Sequence, residues 1–245
     1  PIYLVCAGVS TVSVGTVNAI EALLHLLFPK VCPGCSSDQV DKEQMICADC
    51  LSNLPYTGFQ NIRDNSIEKL FWGRCNIKSA CSIFYYIVDT PLQHIIHHIK
   101  YKNQPELGIY MGEIMGHAMN NFFSTHEIDL IIPMPLHLKK EYQRGYNQAS
   151  LLCRGISTIT GAEYHDEMVI RKEHTSSQTK KTRLERWENV AEVFCLNDAY
   201  SVADKHILLV DDVITTGASM EACANILIKS KAASVSICSL AFTIQ

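Results

Sequence analysis

The sequence predicts an α/β fold, a mostly parallel sheet with helices on both faces, preceded by a small cysteine-rich module. Two observations carry this. From Ala80 onward, short apolar runs alternate with helical patterns. The runs are continuous rather than alternating, as strands covered on both faces require. Ahead of them, Cys32-x-x-Cys35 and Cys47-x-x-Cys50 stand in a turn-rich segment unlike the rest. The 245 residues divide into an apolar, amphipathic segment 1–28, the cysteine module 29–56, a connector 57–79 and the α/β domain 80–245. Hydrophobic residues make up 47% and charged residues 19%, enough apolar material for a real core.

Val17, Ile20, Leu23, Leu24, Leu27 and Phe28 fall on one face of a helix over Val17 to Phe28. In the connector, Leu70-Phe71-Trp72 is an apolar anchor. Cys81 to Val88 reads as a strand. Thr90 then caps a helix, with Pro91 at its first position, Gln93 set to close a capping box, and Leu92, Ile95, Ile96 and Ile99 as its buried stripe. A helix from Glu106 to about Phe123 precedes a strand at Leu130 to Ile132, a basic loop, and a helix from about Asn147 to Thr160. Further strands are expected at Met168 to Ile170, Ala191 to Cys195 and Ile207 to Val210. A helix over Ala218 to Lys229 and a strand over Val235 to Phe242 complete the chain.

The formal net charge of −4 excludes a global basic field, so any nucleic-acid binding needs a local patch. Ser10, Thr11, Ser13, Thr16, Asn18 and Glu21 interrupt the apolar stretch 2–28, so no membrane insertion is expected. Eleven cysteines, an odd number in a long chain, suit a reducing compartment, and a cytoplasmic location is expected. The two C-x-x-C pairs each grip one side of a tetrahedral Zn²⁺, with Pro33-Gly34 turning inside the first. Cys32, Cys35, Cys47 and Cys50 therefore read as a structural zinc ribbon; disulfides or free buried thiols are the alternatives. His94 and His98 share a helix face, but no local Cys or carboxylate completes a metal set.

The sharpest signal is the run from Ile207 to Ser219: a buried strand, Asp211 and Asp212, a hydroxyl- and glycine-rich loop, then a helix. In such folds ligands bind beyond the carboxyl ends of the strands. Successive N–H groups and hydroxyls of Thr215, Thr216, Gly217, Ala218 and Ser219, with the helix N-terminus, form an anion cradle. Two carboxylates beside it make sense as acceptors for sugar hydroxyls. The loop 133–147 brings Lys139, Lys140 and Arg144 to the end of another strand; a solvated basic turn is the plainer alternative. Residues 171–186 hold Arg171, Lys172, Lys180, Lys181, Arg183 and Arg186 against Glu173 and Glu185, the composition of a closing loop, a nucleic-acid track or a solvated one.

The run Ile207 to Ser219 resembles the phosphoribosyl-diphosphate (PRPP) motif of type I phosphoribosyltransferases, with Ser219 where Thr is usual. Together with Phe28-Pro29 before the four cysteines, Ile99-Lys100-Tyr101-Lys102, Ile132-Pro133-Met134-Pro135, Arg144-Gly145-Tyr146-Asn147-Gln148-Ala149 and Arg171…Gln178…Arg186…Asn189-Val190, it resembles the ComF (GntX-like) family. The resemblance implies a type I phosphoribosyltransferase fold. It implies ribose hydroxyls on Asp211 and Asp212, the catalytic pair if turnover occurs, and 5′-phosphate on Thr215 to Ser219. Pyrophosphate would meet Lys139, Lys140, Arg144, Arg171 and Arg183, with Mg²⁺ bridging pyrophosphate and ribose oxygens. Two functions follow as expectations. One is a PRPP-binding protein linked to DNA uptake and natural transformation, with single-stranded DNA and a competence helicase as partners. The other is a phosphoribosyltransferase of nucleotide metabolism displacing pyrophosphate with a nitrogen nucleophile.

Overall fold

The computed structural model describes residues 30–172 and 193–244. The helix expected over Val17 to Phe28 lies outside them, as does most of the basic stretch 171–186. No helix among the described residues is long and apolar enough to cross a membrane.

A five-stranded sheet of order β1-β7-β6-β2-β3 forms the centre. Its strands are β1 (Ser79–Tyr86), β2 (Leu130–Pro133), β3 (Glu163–Tyr164), β6 (His206–Ile214) and β7 (Ser234–Thr243), and every pairing is parallel. Parallel strands need crossover connections, and helices supply them on both faces. Along β6 the side chains alternate: Leu208 and Val210 join one core, Ile207 and Leu209 the other. The first core is closed by α3 (Pro91–Tyr101), α4 (Pro105–Ala118), α5 (Asn120–His126) and α7 (Gln148–Thr160). The second is closed by α2 (Ser66–Phe71) and α8 (Ala218–Lys229). Both cores consist of fully buried Ile, Leu, Val, Met and Phe, each worth about 1.5–3 kcal/mol on burial.

The cysteine module, with α1 (Ala48–Ser52), packs into the first core. Ile46, Cys47, Cys50 and Leu54 are buried in the same cluster as Phe84, Leu92 and Ile95. Its chain is stitched to β1: Thr57 N–H donates to Ile83 O at 2.9 Å and Tyr85 N–H to Pro55 O at 2.8 Å.

Several elements differ from expectation. The helix expected from Glu106 to Phe123 breaks at Met119, whose N–H is shared between Met115 O and Gly116 O at 2.9 and 3.2 Å. The expected capping box does not form. Thr90 Oγ1 donates to Ile87 O, and Gln93 Oε1 takes the N–H of Asp89, which stands at φ 59°. The expected strands at Met168 to Ile170 and Ala191 to Cys195 leave the central sheet. They appear as β4 (Val169–Arg171) and β5 (Phe194–Leu196), an antiparallel pair that lays Met168, Val169 and Phe194 on the second core. The strand expected at Ile207 to Val210 runs on to Ile214 and carries the acidic pair within it. Of the connector's anchor, Phe71 is fully buried while Trp72 is 59% exposed.

Helices α4 and α7 cross at backbone contact because glycines face each other. A Cβ on Gly155 would stand 2.6 Å from Glu113 N and collide with Ile109 O. Backbone cannot yield as a side chain can, so Gly155→Ala is expected to cost about 1–3 kcal/mol by overpacking. In a thermal melt that is a fall in Tm of roughly 2–12 °C for a chain of this size; an unchanged Tm would show that the helices part without penalty.

Candidate functional site

Parallel pairing sends the C-terminal ends of β1, β2, β3 and β6 to one edge, and the predicted site residues of β6 collect there. After β6, Thr215 to Gly217 turn the chain into α8. Gly217 is the N-cap at φ 73°, a region open to glycine, and a Cβ there would press on the Phe71 ring at 3.0 Å. Among the described residues no side chain caps α8, and its first turn starts at this edge of the sheet. Phe71 thus forms the floor of the loop. Arg74 holds it laterally: Nη1 donates to Thr216 O at 3.2 Å and to Leu70 O at 2.9 Å, and Nη2 pairs with Glu221 in the first turn of α8.

Asp211 and Asp212 are both half-buried. Asp211 Oδ1 accepts the N–H of Asp212 at 2.8 Å, and Asp212 Oδ2 forms an ion pair with Lys100 Nζ at 2.7 Å. Burial first, then the charge of Asp212, pushes the Asp211 carboxyl up to about 8. Below about pH 4 the folded and unfolded chains both hold this proton. Above it the unfolded carboxyl ionises while the folded one stays neutral, so stability is lost as pH rises towards about 8. Asp211→Asn is therefore expected to melt several degrees above the parent at pH 8 and at the same temperature near pH 4. A parent that gains stability relative to the variant between those pH values would contradict the buried, proton-holding carboxyl.

The expected basic loop after β2 holds a short helix, α6 (Leu138–Arg144). His137 Nδ1 accepts the Lys139 N–H at its start, and Gly145 ends it at φ 81°. Lys139, Lys140 and Arg144 all ride on α6. Residues 144–149 brace it. Arg144 Nη1 donates to Gln148 Oε1 at 2.5 Å and its guanidinium lies 5.3 Å over the Tyr101 ring. Tyr146 Oη donates to Ile99 O, and Asn147 both caps α7 and donates to Met134 O. The end of α3, the start of α7 and the chain leaving β2 are thereby tied together.

Lys140 and Arg144 line a cavity of about 390 Å³ with Lys100, Tyr101, Asn103 and Gln143. Arg171 is not brought to it. That residue lines a second cavity of about 570 Å³, with Glu141, Asp166 and Glu167 among its walls, and packs on the Phe194 ring. Arg183 lies outside the described residues. Lys100 and Arg74, and Phe71 beyond its part in the apolar anchor, are additions to the residues the sequence assigns to the site.

The four predicted zinc ligands come together. The sulfurs of Cys32, Cys35, Cys47 and Cys50 all lie within 4.8 Å of one another. The N–H groups of Gly34 and Cys47 point at Cys32 Sγ, and that of Cys50 at Cys47 Sγ, each at 3.4 Å. Burial opposes ionisation of Cys32, but the N–H donors of Cys47, Cys35 and Gly34 outweigh it and bring this thiol to about 7. Burial and then the neighbouring thiols push Cys50 up. The Cys32 thiolate forms readily here, while ionised Cys50 would need a neighbouring cation to offset its burial.

The match of residues 23–59 to the family model described as a double zinc ribbon domain agrees with this cluster. The phosphoribosyl transferase domain model matches residues 152–245, from α7 to the last strand. Competence protein F of Haemophilus influenzae is 30% identical over 210 residues, spanning 84% of this chain and 87% of that protein. The chain belongs to the ComF family. Competence protein ComFC of Bacillus subtilis is 24% identical over 208 residues, 84% of this chain and 75% of that one. DNA utilization protein YhgH of Escherichia coli is 28% identical over 157 residues, 63% of this chain and 68% of that one. Among solved structures, the glutamine PRPP amidotransferase of B. subtilis overlaps 60% of this ComF-family chain and 30% of its own at 15% identity, with a TM-score of 0.43. A purine phosphoribosyltransferase of Pyrococcus horikoshii overlaps 54% and 73% at 16% identity, with a TM-score of 0.36. In this family member the four cysteines form a structural zinc site, since four sulfurs fill a tetrahedral shell and leave no position for catalysis.

Proposed function

We propose that this protein binds PRPP at the C-terminal end of β6 and serves DNA uptake, as the names of its competence and DNA-utilization relatives suggest. The observation that carries the reading is the sequence of groups along one stretch: an acidic pair in the strand, then an uncapped helix start behind Gly217. Asp211 and Asp212 accept hydrogen bonds from the ribose 2′- and 3′-hydroxyls. The N–H groups and hydroxyls of Thr215, Thr216, Gly217, Ala218 and Ser219 hold the 5′-phosphate, which gains from the positive end of α8. Lys140 and Arg144 face the diphosphate, Arg144 able to present two parallel N–H groups to it. The Asp212 carboxylate, paired only with Lys100 among the described residues, and the neighbouring Asp211 oxygens would offer a hard cation its ligands. Mg²⁺ would supply charge neutralisation between diphosphate and ribose oxygens.

Ligand-induced stabilisation tests the reading. A ligand at a hundred times its Kd adds about 2.7 kcal/mol to the folded state, which is roughly 5–10 °C in Tm for a chain of this size. PRPP with Mg²⁺ is expected to give such a shift, ribose 5-phosphate a smaller one, and ribose none. Equal shifts for PRPP and for any polyanion of similar charge would refute a built sugar-phosphate site. Single-stranded DNA in the same assay, at low and high salt, examines the link to DNA: an interaction through phosphate contacts fades steeply with salt.

A further inference from the structure

Lys100 borders two features at once. Its Nζ is paired with Asp212, both side chains mostly buried at 22% and 17% exposure, and its residue also lines the cavity shared with Lys140 and Arg144. Among the described residues the cavity wall has three cationic side chains and no acidic one, a lining that suits an anion. Without ligand, the ammonium balances the charge of Asp212. It also occupies an oxygen that a ribose hydroxyl would want. Lysine suits movement between two partners, being a point charge with three donors on a flexible stem. The backbone of α3 need not move, because Tyr146 ties Ile99 O from the side while only the Lys100 stem swings.

We infer that Lys100 determines specificity by exchanging partners, leaving Asp212 for the diphosphate of the ligand and so opening Asp212 to the ribose only when a diphosphate is present. The inference rests on the PRPP reading above. It makes ribose recognition depend on the diphosphate, and PRPP is thereby favoured over ribose 5-phosphate beyond the contacts the diphosphate makes itself.

Lys100→Met keeps the length and apolar stem of the side chain and removes the charge. Titrated with PRPP, pyrophosphate and ribose 5-phosphate at fixed Mg²⁺, it is expected to bind the first two about 10- to 100-fold more weakly, the range for one charged hydrogen bond. Ribose 5-phosphate is expected to bind as well as to the parent, or better, since its competitor for Asp212 is gone. Lys100→Arg should recover part of the PRPP affinity. Equal losses for PRPP and ribose 5-phosphate would mean that Lys100 is only a strut, and unchanged PRPP binding would remove it from the site; either result overturns the inference. A parent that binds no PRPP instead sinks the functional reading on which it rests, so the two failures are told apart.

Discussion

Stripping the zinc, or replacing Cys50 by Ser, is expected to lower stability more than any other single change. Structural zinc contributes about 10–16 kcal/mol of apparent binding free energy in small zinc modules at neutral pH, and only the folded state here assembles four sulfurs within 4.8 Å. The damage does not stay in the ribbon. Gly34 lies against Cys50 Sγ and Pro91, each about 3.0 Å from where a Cβ would stand, and His94 Nδ1 bonds to Gly34 O at 2.8 Å. The ribbon thus rests on the first turn of α3, whose last turn carries Lys100 and Tyr101 to the site. Purified protein should hold about one zinc per chain. A chelator under reducing conditions should lower Tm by well over 10 °C and expose the Phe84–Leu92–Ile95 core to hydrophobic dyes. Metal-free protein with an unchanged melt would show that the thiols pack without an ion.

The second large effect is on binding rather than on folding. Asp211→Asn with Asp212→Asn preserves shape but removes the charge of Asp212 and the ionisable carboxyl of Asp211. A hydrogen bond to a charged group is worth about 1.5–3 kcal/mol and a neutral one about 0.5–1.5, so losing both weakens PRPP binding by roughly 30- to 2,000-fold. The fold should survive, because Asp211→Asn removes an ionisable group from a site that disfavours its charge, and the amide oxygen at position 212 still gives Lys100 an acceptor. A melt no lower than the parent's, together with lost PRPP binding, is the expected pair of results. If the double variant binds PRPP as the parent does, the acidic pair does not hold the ribose.

How much of this was legible in the sequence depended on how local each feature is. The three layers could be read because continuous apolar runs such as Ile207 to Val210 have no solvated face to offer. The succession of strand, acidic pair, Gly217 turn and helix start could be read because these are consecutive in the chain. Cys32 to Cys50 likewise report their own geometry through spacing. Helix α6 left no periodic signal, since none of its residues is buried; its cap His137 and stop Gly145 were the only marks. Strand propensity at Val169–Arg171 gave no partner, and the pairing with Phe194–Leu196 follows from tertiary packing. The contacts that finish the site were hidden for the same reason. Arg74 reaches Thr216 across 142 residues, Phe71 supports Gly217, and Lys100 meets Asp212 from another helix. Lys100 stood in the family-resembling run Ile99-Lys100-Tyr101-Lys102, but its partner was not legible there. It follows the buried Leu92, Ile96 and Ile99 at the rim of their stripe, where a lysine stem packs and its charge must find a partner.

The most direct measurement is calorimetric titration of the zinc-loaded protein with PRPP in the presence of Mg²⁺. Saturable binding at one site per chain is expected, at the acidic pair of β6 and the proposed phosphate loop before α8. Absence of binding at millimolar PRPP, by protein that is folded and holds its zinc, would contradict it.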